Sequence, residues 1–215
     1  SGSGNGLARE LGVSRRPERA MADALAASPR PLDVGEINDR LFVNIAGLGV
    51  DAHVASQFNR PGNERRGLLT YVRITARTLM TYTPGDYRIT TSNGARPDAN
   101  EAASTVQRSH AVLVTIANSA QFGNGACIAP GALLDDGLLD LVVVEERSRL
   151  ATIAQLPKLF NSGVERIPGY SRQRIRQAII ESDRPMTFHV DGESVSAGTR
   201  LRVRVHPAAL RVAVR

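Results

Sequence analysis

The chain has 215 residues, 42% of them hydrophobic, and its 27 basic and 21 acidic side chains leave a net charge of +6, enough apolar content for a real core and far from a disordered composition. Lys158 is the single lysine, so arginine carries nearly all the positive charge, and its planar fork suits phosphates, carboxylates and anionic lipid surfaces. One cysteine, Cys127, excludes an internal disulfide framework; 4% aromatics without tryptophan argue against a base-stacking nucleic-acid surface; and no apolar run approaches a transmembrane helix or signal peptide, which together point to a cytoplasmic protein able to touch a membrane from outside.

Ser1-Gly2-Ser3-Gly4-Asn5-Gly6 reads as a flexible turn whose backbone N–H groups could cradle a phosphate. Two short helices follow, one over Leu7–Gly12 and one opened by Pro17 and running to Ala27. From Pro31 the pattern turns to strands. Leu41–Ala46 is apolar and β-rich, and Asp86–Thr91 alternates. Between them Gly67–Thr83 is spaced as a helix, with Leu68, Leu69, Val72, Thr75, Ala76 and Leu79 on one face.

Ser92–Ser109 is polar and aperiodic, which predicts a hairpin loop. Strands are expected at His110–Ala117, Leu138–Glu145 and Pro185–Val190, with two more at Arg200–His206 and Leu210–Arg215. A second helical pattern covers Arg149–Ser162, and the arginine-rich stretch Arg166–Arg176 is expected to be a loop leading into a strand. Many short strands and few helices predict a mainly β, α+β fold, a sandwich or barrel with helical insertions.

Two stretches could carry chemistry. In Phe188-His189-Val190-Asp191-Gly192-Glu193 the carboxylates of Asp191 and Glu193 would share one face, roughly 6–7 Å apart, if the strand continued through both; an Asp-Gly pair at a strand end equally suits a hairpin turn. In Leu133-Leu134-Asp135-Asp136-Gly137-Leu138 a carboxylate beside main-chain carbonyls offers the oxygen donors a hard cation takes, and the same residues suit a plain turn in which Asp136 bonds its own backbone.

Taken in order, Gly2-Ser3-Gly4-Asn5-Gly6-Leu7-Ala8, Phe42-Val43-Asn44-Ile45-Ala46-Gly47-Leu48-Gly49-Val50-Asp51-Ala52, the Asn118–Asp140 run and Val190-Asp191-Gly192-Glu193 closely resemble the bacterial lipid kinases of the diacylglycerol kinase catalytic family. The resemblance covers nearly the whole chain. It implies a β-sandwich domain of lipid kinase and NAD kinase-like architecture over residues 31–215, preceded at residues 1–30 by helices remaining from a nucleotide-binding α/β domain.

The same resemblance implies ATP and Mg²⁺ as cofactors and a diacylglycerol- or sphingosine-like lipid as substrate. It places nucleotide contacts at Ser3, Gly4 and Asn5, a structural Mg²⁺ at the Asp136 carboxylate with the carbonyls of Leu133 and Leu138, and proton acceptance from the lipid hydroxyl at Asp191 and Glu193. It also makes a homodimer and contact with an anionic membrane expected, and no nucleic acid. The Gly-Gly-Asp-Gly-Thr motif that family members carry upstream is absent from these 215 residues. The expectation is therefore the C-terminal portion of an ATP-dependent lipid kinase, inactive by itself. A non-catalytic lipid-binding or assembly module and an NAD kinase-like enzyme are the alternatives.

Overall fold

A computed structural model describes residues 5–58, 68–92, 104–123, 125–161 and 163–214. Helices α1 (Gly6–Glu10) and α2 (Pro17–Ala26) lead into strands β1 (Arg30–Ile37), β2 (Arg40–Phe42) and β3 (Ile45–Gly49). Helices α3 (Val50–Phe58) and α4 (Leu68–Thr81) follow, then β4 (Gly85–Ser92), β5 (Thr105–Ala117), the small pair β6 (Gln121–Gly123) and β7 (Ala126–Cys127), and β8 (Leu139–Glu145). Helix α5 (Arg149–Gln155) runs into a 3₁₀ turn at Leu156–Phe160, where Pro157 lacks the N–H a longer helix needs. The chain closes with β9 (Tyr170–Ile175), β10 (Gln177–Glu181), β11 (Thr187–Val190), β12 (Glu193–Ser196) and β13 (Arg200–Val212).

Among the described residues, eleven strands form one curled sheet in which every pairing is antiparallel. The path runs β12-β11-β3-β5-β4-β10-β13-β1-β2, and β8 pairs β5 and carries β9. Strand β5 is the branch point: Thr105–Ala111 pair with β4, and Leu113–Ala117 pair with both β3 and β8.

The apolar runs of β5 and β8 are buried on both faces. Leu139, Leu141 and Val143 face a core shared with Ile37, Phe42, Val114, Ile116, Phe188 and Leu201, inside the curl of the sheet. Val142 and Val144 face the opposite way, into a second core with Val50, Val54, Leu79 and Ile128 beneath the helices. Each fully buried aliphatic side chain in these layers stabilises the fold by about 1.5–3 kcal/mol, and cutting one such as Leu141 to alanine would cost about 2–5 kcal/mol.

Several expectations change. The predicted strand at Leu41–Ala46 splits into β2 and β3, because Asn44 turns aside and the amides of Val43 and Asn44 bond the Asp191 side chain. The arginine-rich stretch is a strand, β9, and Arg200–Val212 is one strand where two were expected. Part of the predicted hairpin loop, Thr105–Ser109, is strand β5, while 93–103 lie outside the described residues. In α4, Thr75 and Leu79 are buried and Val72 and Ala76 half-buried, as the spacing predicts.

Candidate functional site

Asp191 and Glu193 do not share a strand face. Val190 pairs with Glu193 across a two-residue turn in which Asp191 (φ 46°) and Gly192 (φ 93°) both adopt left-handed backbone, the geometry of a type I′ hairpin that Asp-Gly favours. The turn aims the Asp191 carboxylate at the β2–β3 junction. Val43 N–H donates to Oδ2 (2.9 Å), while Asn44 and Ile45 N–H donate to Oδ1 (3.0 and 2.9 Å), and the Asp191 N–H returns a bond to the Ile45 carbonyl (2.8 Å). Glu193 is exposed, and its carboxylate has no hydrogen-bond or ion-pair partner among the described residues.

Around Asn44 the separate motifs meet. The Asn44 carbonyl accepts from the N–H groups of Asn118 (2.9 Å) and Ser119 (3.3 Å), Ser119 Oγ donates to Asn44 Oδ1, and Asn44 Nδ2 donates to the Gln121 carbonyl (3.1 Å). Gln121 Nε2 in turn donates to Glu10 of α1 (3.2 Å), so the helix that follows the glycine-rich opening packs beside this junction. Asn5 caps that helix with φ 47°, and Ser3 and Gly4 lie outside the described residues. Asn118 is 1% exposed; its Nδ2 donates to the carbonyls of Asp33 (2.9 Å) and Val43 (2.8 Å), and its Oδ1 has no partner among the described residues.

Asp33 connects this junction to the loop at residues 133–138. Its buried carboxylate accepts from Gly137 N–H (2.6 Å) and Ala208 N–H (2.8 Å), and its own N–H bonds the Leu134 carbonyl (2.7 Å). Asp136 accepts from Leu138 N–H (3.0 Å) as a turn would require, and Arg174 makes an ion pair with its other oxygen. Arg172, two residues earlier on β9 and on the same face, donates to Asp140 (2.7 Å) and to the Pro130 carbonyl.

The Asp136 carboxylate with the carbonyls of Leu133 and Leu138 is an oxygen set of the kind a hard cation takes. A guanidinium already neutralises that carboxylate, so a divalent ion there would share Asp136 with Arg174 or displace it. No cluster of three or more His, Cys, Asp or Glu groups suited to a metal exists among the described residues.

On the helical side of the sheet lies a cavity open to solvent, walled by apolar residues such as Val54, Leu79, Val112, Ile128, Leu156 and Leu159. Its few polar members include Asp51 and Gln155, and Gln155 Oε1 is buried without a partner among the described residues. Asp51 sits in the first turn of α3 and is 7% exposed. Its Oδ2 lies 2.7 Å from Nε2 of His189, a residue 4% exposed on β11. Burial opposes charge on His189, and the neighbouring Asp51 overcomes it, raising the imidazole's proton affinity above the ordinary value. Nearby, burial also pushes the Tyr170 phenol up to about 12, with its O–H donated to the Ile128 carbonyl (2.9 Å).

Sequence reading missed three of these residues. Asp51 and His189 stand in ordinary strand-to-helix and strand patterns, and Asp33 is one of two acids, with Glu36, in β1.

Comparison with known proteins bears on what this junction and cavity are. A family model described as the YegS C-terminal NAD kinase beta sandwich-like domain matches residues 44–214. A Pseudomonas aeruginosa protein named "Probable lipid kinase YegS-like" is 29% identical over 98% of this chain and 65% of its own length, and one of the same name from Chromohalobacter salexigens is 28% identical over 89% and 58%. The chain thus spans under two thirds of these relatives. A crystal structure of a diacylglycerol kinase from Bacillus anthracis superposes with a TM-score of 0.69 at 20% identity, covering all of this chain and 65% of that one. A second Bacillus anthracis structure reaches 0.76 at 23%. Both show a shared fold.

Proposed function

The chain belongs to the YegS C-terminal NAD kinase β-sandwich-like family, and on that footing we propose that it forms the substrate side of an ATP-dependent lipid kinase, holding a diacylglycerol- or sphingosine-like lipid for phosphorylation at a hydroxyl. The observation that carries this reading is the position of the apolar cavity. Its wall includes Asp51, which touches His189, and His189 stands two residues before the acidic turn. A lipid with its chain among Val54, Leu79 and Leu156 would bring its polar end toward Asp191 and Glu193.

Phosphoryl transfer asks little covalent chemistry of a protein; it needs alignment and a group to receive the hydroxyl proton. We assign that reception to the pair. Three main-chain N–H groups hold the Asp191 carboxylate in place, and it fixes the β2–β3 link as well, whereas Glu193 keeps its lone pairs open. ATP would supply the phosphoryl group, with its contacts assigned to Ser3, Gly4 and Asn5, residues 1–30 belonging to the nucleotide-binding part and 31–215 to the substrate part. A magnesium ion at Leu133, Asp136 and Leu138 would brace the loop carried by Asp33.

The 215-residue chain alone, given ATP, Mg²⁺ and diacylglycerol or sphingosine, is expected to form no lipid phosphate. Placed in a chimera in place of the corresponding region of the Pseudomonas aeruginosa relative, it is expected to restore transfer, and Glu193→Gln in that chimera to abolish it. A folded chimera that phosphorylates neither lipid would overturn the proposal.

A further inference from the structure

His189 stands directly opposite Gly47 in the pairing of β11 with β3. The imidazole crosses the space that a side chain at Gly47 would fill: a Cβ there would lie 2.3 Å from Asp51 Oδ2 and 2.7 Å from His189 Nε2, closer than real carbon atoms approach without displacing something. The other ring nitrogen, Nδ1, lies 3.3 Å from the N–H of Gly192, the second residue of the acidic turn. An N–H can only donate, so this bond belongs to the neutral ring, with Nδ1 as the acceptor and the one ring proton on Nε2, directed at the Asp51 carboxylate.

The ring therefore connects three elements. Asp51 belongs to α3 and to the cavity wall, His189 to the strand that enters the turn, and Gly192 to the turn itself. Ser194 on the outgoing strand adds a parallel tie, its hydroxyl donating to the Ala52 carbonyl of α3 (3.2 Å). We infer that Asp51 and His189 are positioning residues that hold the Asp191-Gly192-Glu193 turn in fixed register with the wall of the apolar cavity. Neither touches a reacting atom; they set where the two carboxylates stand relative to whatever the cavity holds.

This assignment rests on the lipid kinase reading for its functional consequence, but the tether itself is a property of the chain and is tested separately. In the 215-residue chain at about pH 8, ¹⁵N NMR of the imidazole is expected to show a proton on Nε2 and none on Nδ1. The opposite tautomer would overturn the inference even if no variant folds. His189→Ala is expected to speed hydrogen exchange at Gly192 and Glu193 roughly five- to tenfold, the scale of one hydrogen bond, with exchange in β13 unchanged. His189→Gln offers one donor and one acceptor at a similar reach and is expected to restore most of the protection. Exchange at Gly192 within about twofold of the parent in a folded His189→Ala chain, below the effect of one hydrogen bond, would contradict the tether.

In the chimera, His189→Ala is expected to lower kcat with the KM for lipid nearly unchanged, and His189→Gln to recover it. A change confined to KM would contradict the positioning role. If the parent chimera transfers no phosphate while the tautomer and exchange results hold, the kinase reading fails and the tether stands.

Discussion

The carboxylate of Asp191 lies 2.9 Å from the N–H of Ile45 across 146 residues of chain, and two further main-chain N–H groups, of Val43 and Asn44, converge on the same side chain. One acid on a hairpin turn thus fixes the break between β2 and β3, the break on which the asparagines of two other motifs are assembled.

This relationship separates two acids that stand side by side in sequence. Asp191→Ala removes an acceptor from three amides and is expected to destabilise the chain by about 2–4 kcal/mol, since donors lose their partner together. Glu193→Gln touches no such network and is expected to leave stability within about 0.5 kcal/mol. Urea denaturation of the two variants measures the difference, and equal losses would show that Asp191 is not the anchor.

A divalent cation at Asp136 would compete with Arg174 for one carboxylate. Arg174→Gln is expected to raise the affinity for Mg²⁺ by roughly tenfold through loss of a like charge beside Asp136, and Asp136→Asn to abolish binding in both backgrounds. Isothermal titration with Mg²⁺ alone reads both effects. Unchanged affinity in Arg174→Gln would mean that the guanidinium does not occupy the cation's place.

His110 bridges Asp86 on β4 (2.7 Å) and Glu146 beyond β8 (3.1 Å), and the hydrogen bond to Asp86 is the main cause of its raised proton affinity. A group whose folded-state pKa lies above its unfolded value of about 6.5 contributes stability fully at lower pH and loses it as pH rises through the folded value. The side chain is half exposed, so screening keeps the effect small. Unfolding free energies of the parent and His110→Gln are expected to differ more at about pH 6 than at about pH 9; a difference that grows with pH would reverse the assignment.

What was legible in the sequence follows the strength of local signals. The continuous apolar run at Leu139–Glu145 reads as a doubly buried strand because both of its faces meet a core. Strand β9 was obscured by Arg172, Arg174 and Arg176, whose alternation with Gln173 and Ile175 looks like a charged loop until Asp136 in the preceding loop and Asp140 on β8 are seen to face Arg174 and Arg172. Pro207 and Ala208 look like a break between two strands. The structure keeps the strand continuous by a bulge opposite Asp33, with Ala208 at φ 54° and its N–H on the Asp33 carboxylate.

At the candidate site, the motif order was visible but the partnerships were not. Asp191 and Glu193 were readable as an acidic pair, with strand and turn both open; the turn is what forms, because Asp-Gly accommodates two positive φ values. Asp51 and His189 are 138 residues apart, and no local pattern reveals a contact made only when β11 lies against β3.

The central claim, a lipid chain held in the cavity with its hydroxyl end at the acidic turn, is tested most directly by photocrosslinking with a diacylglycerol carrying a diazirine near its acyl terminus, mapped by mass spectrometry on the intact chain. The account predicts adducts on Val54, Leu79, Leu156 or Leu159, lost when unlabelled diacylglycerol is in excess. Adducts scattered over the exposed strand face, or none that unlabelled lipid displaces, would contradict it.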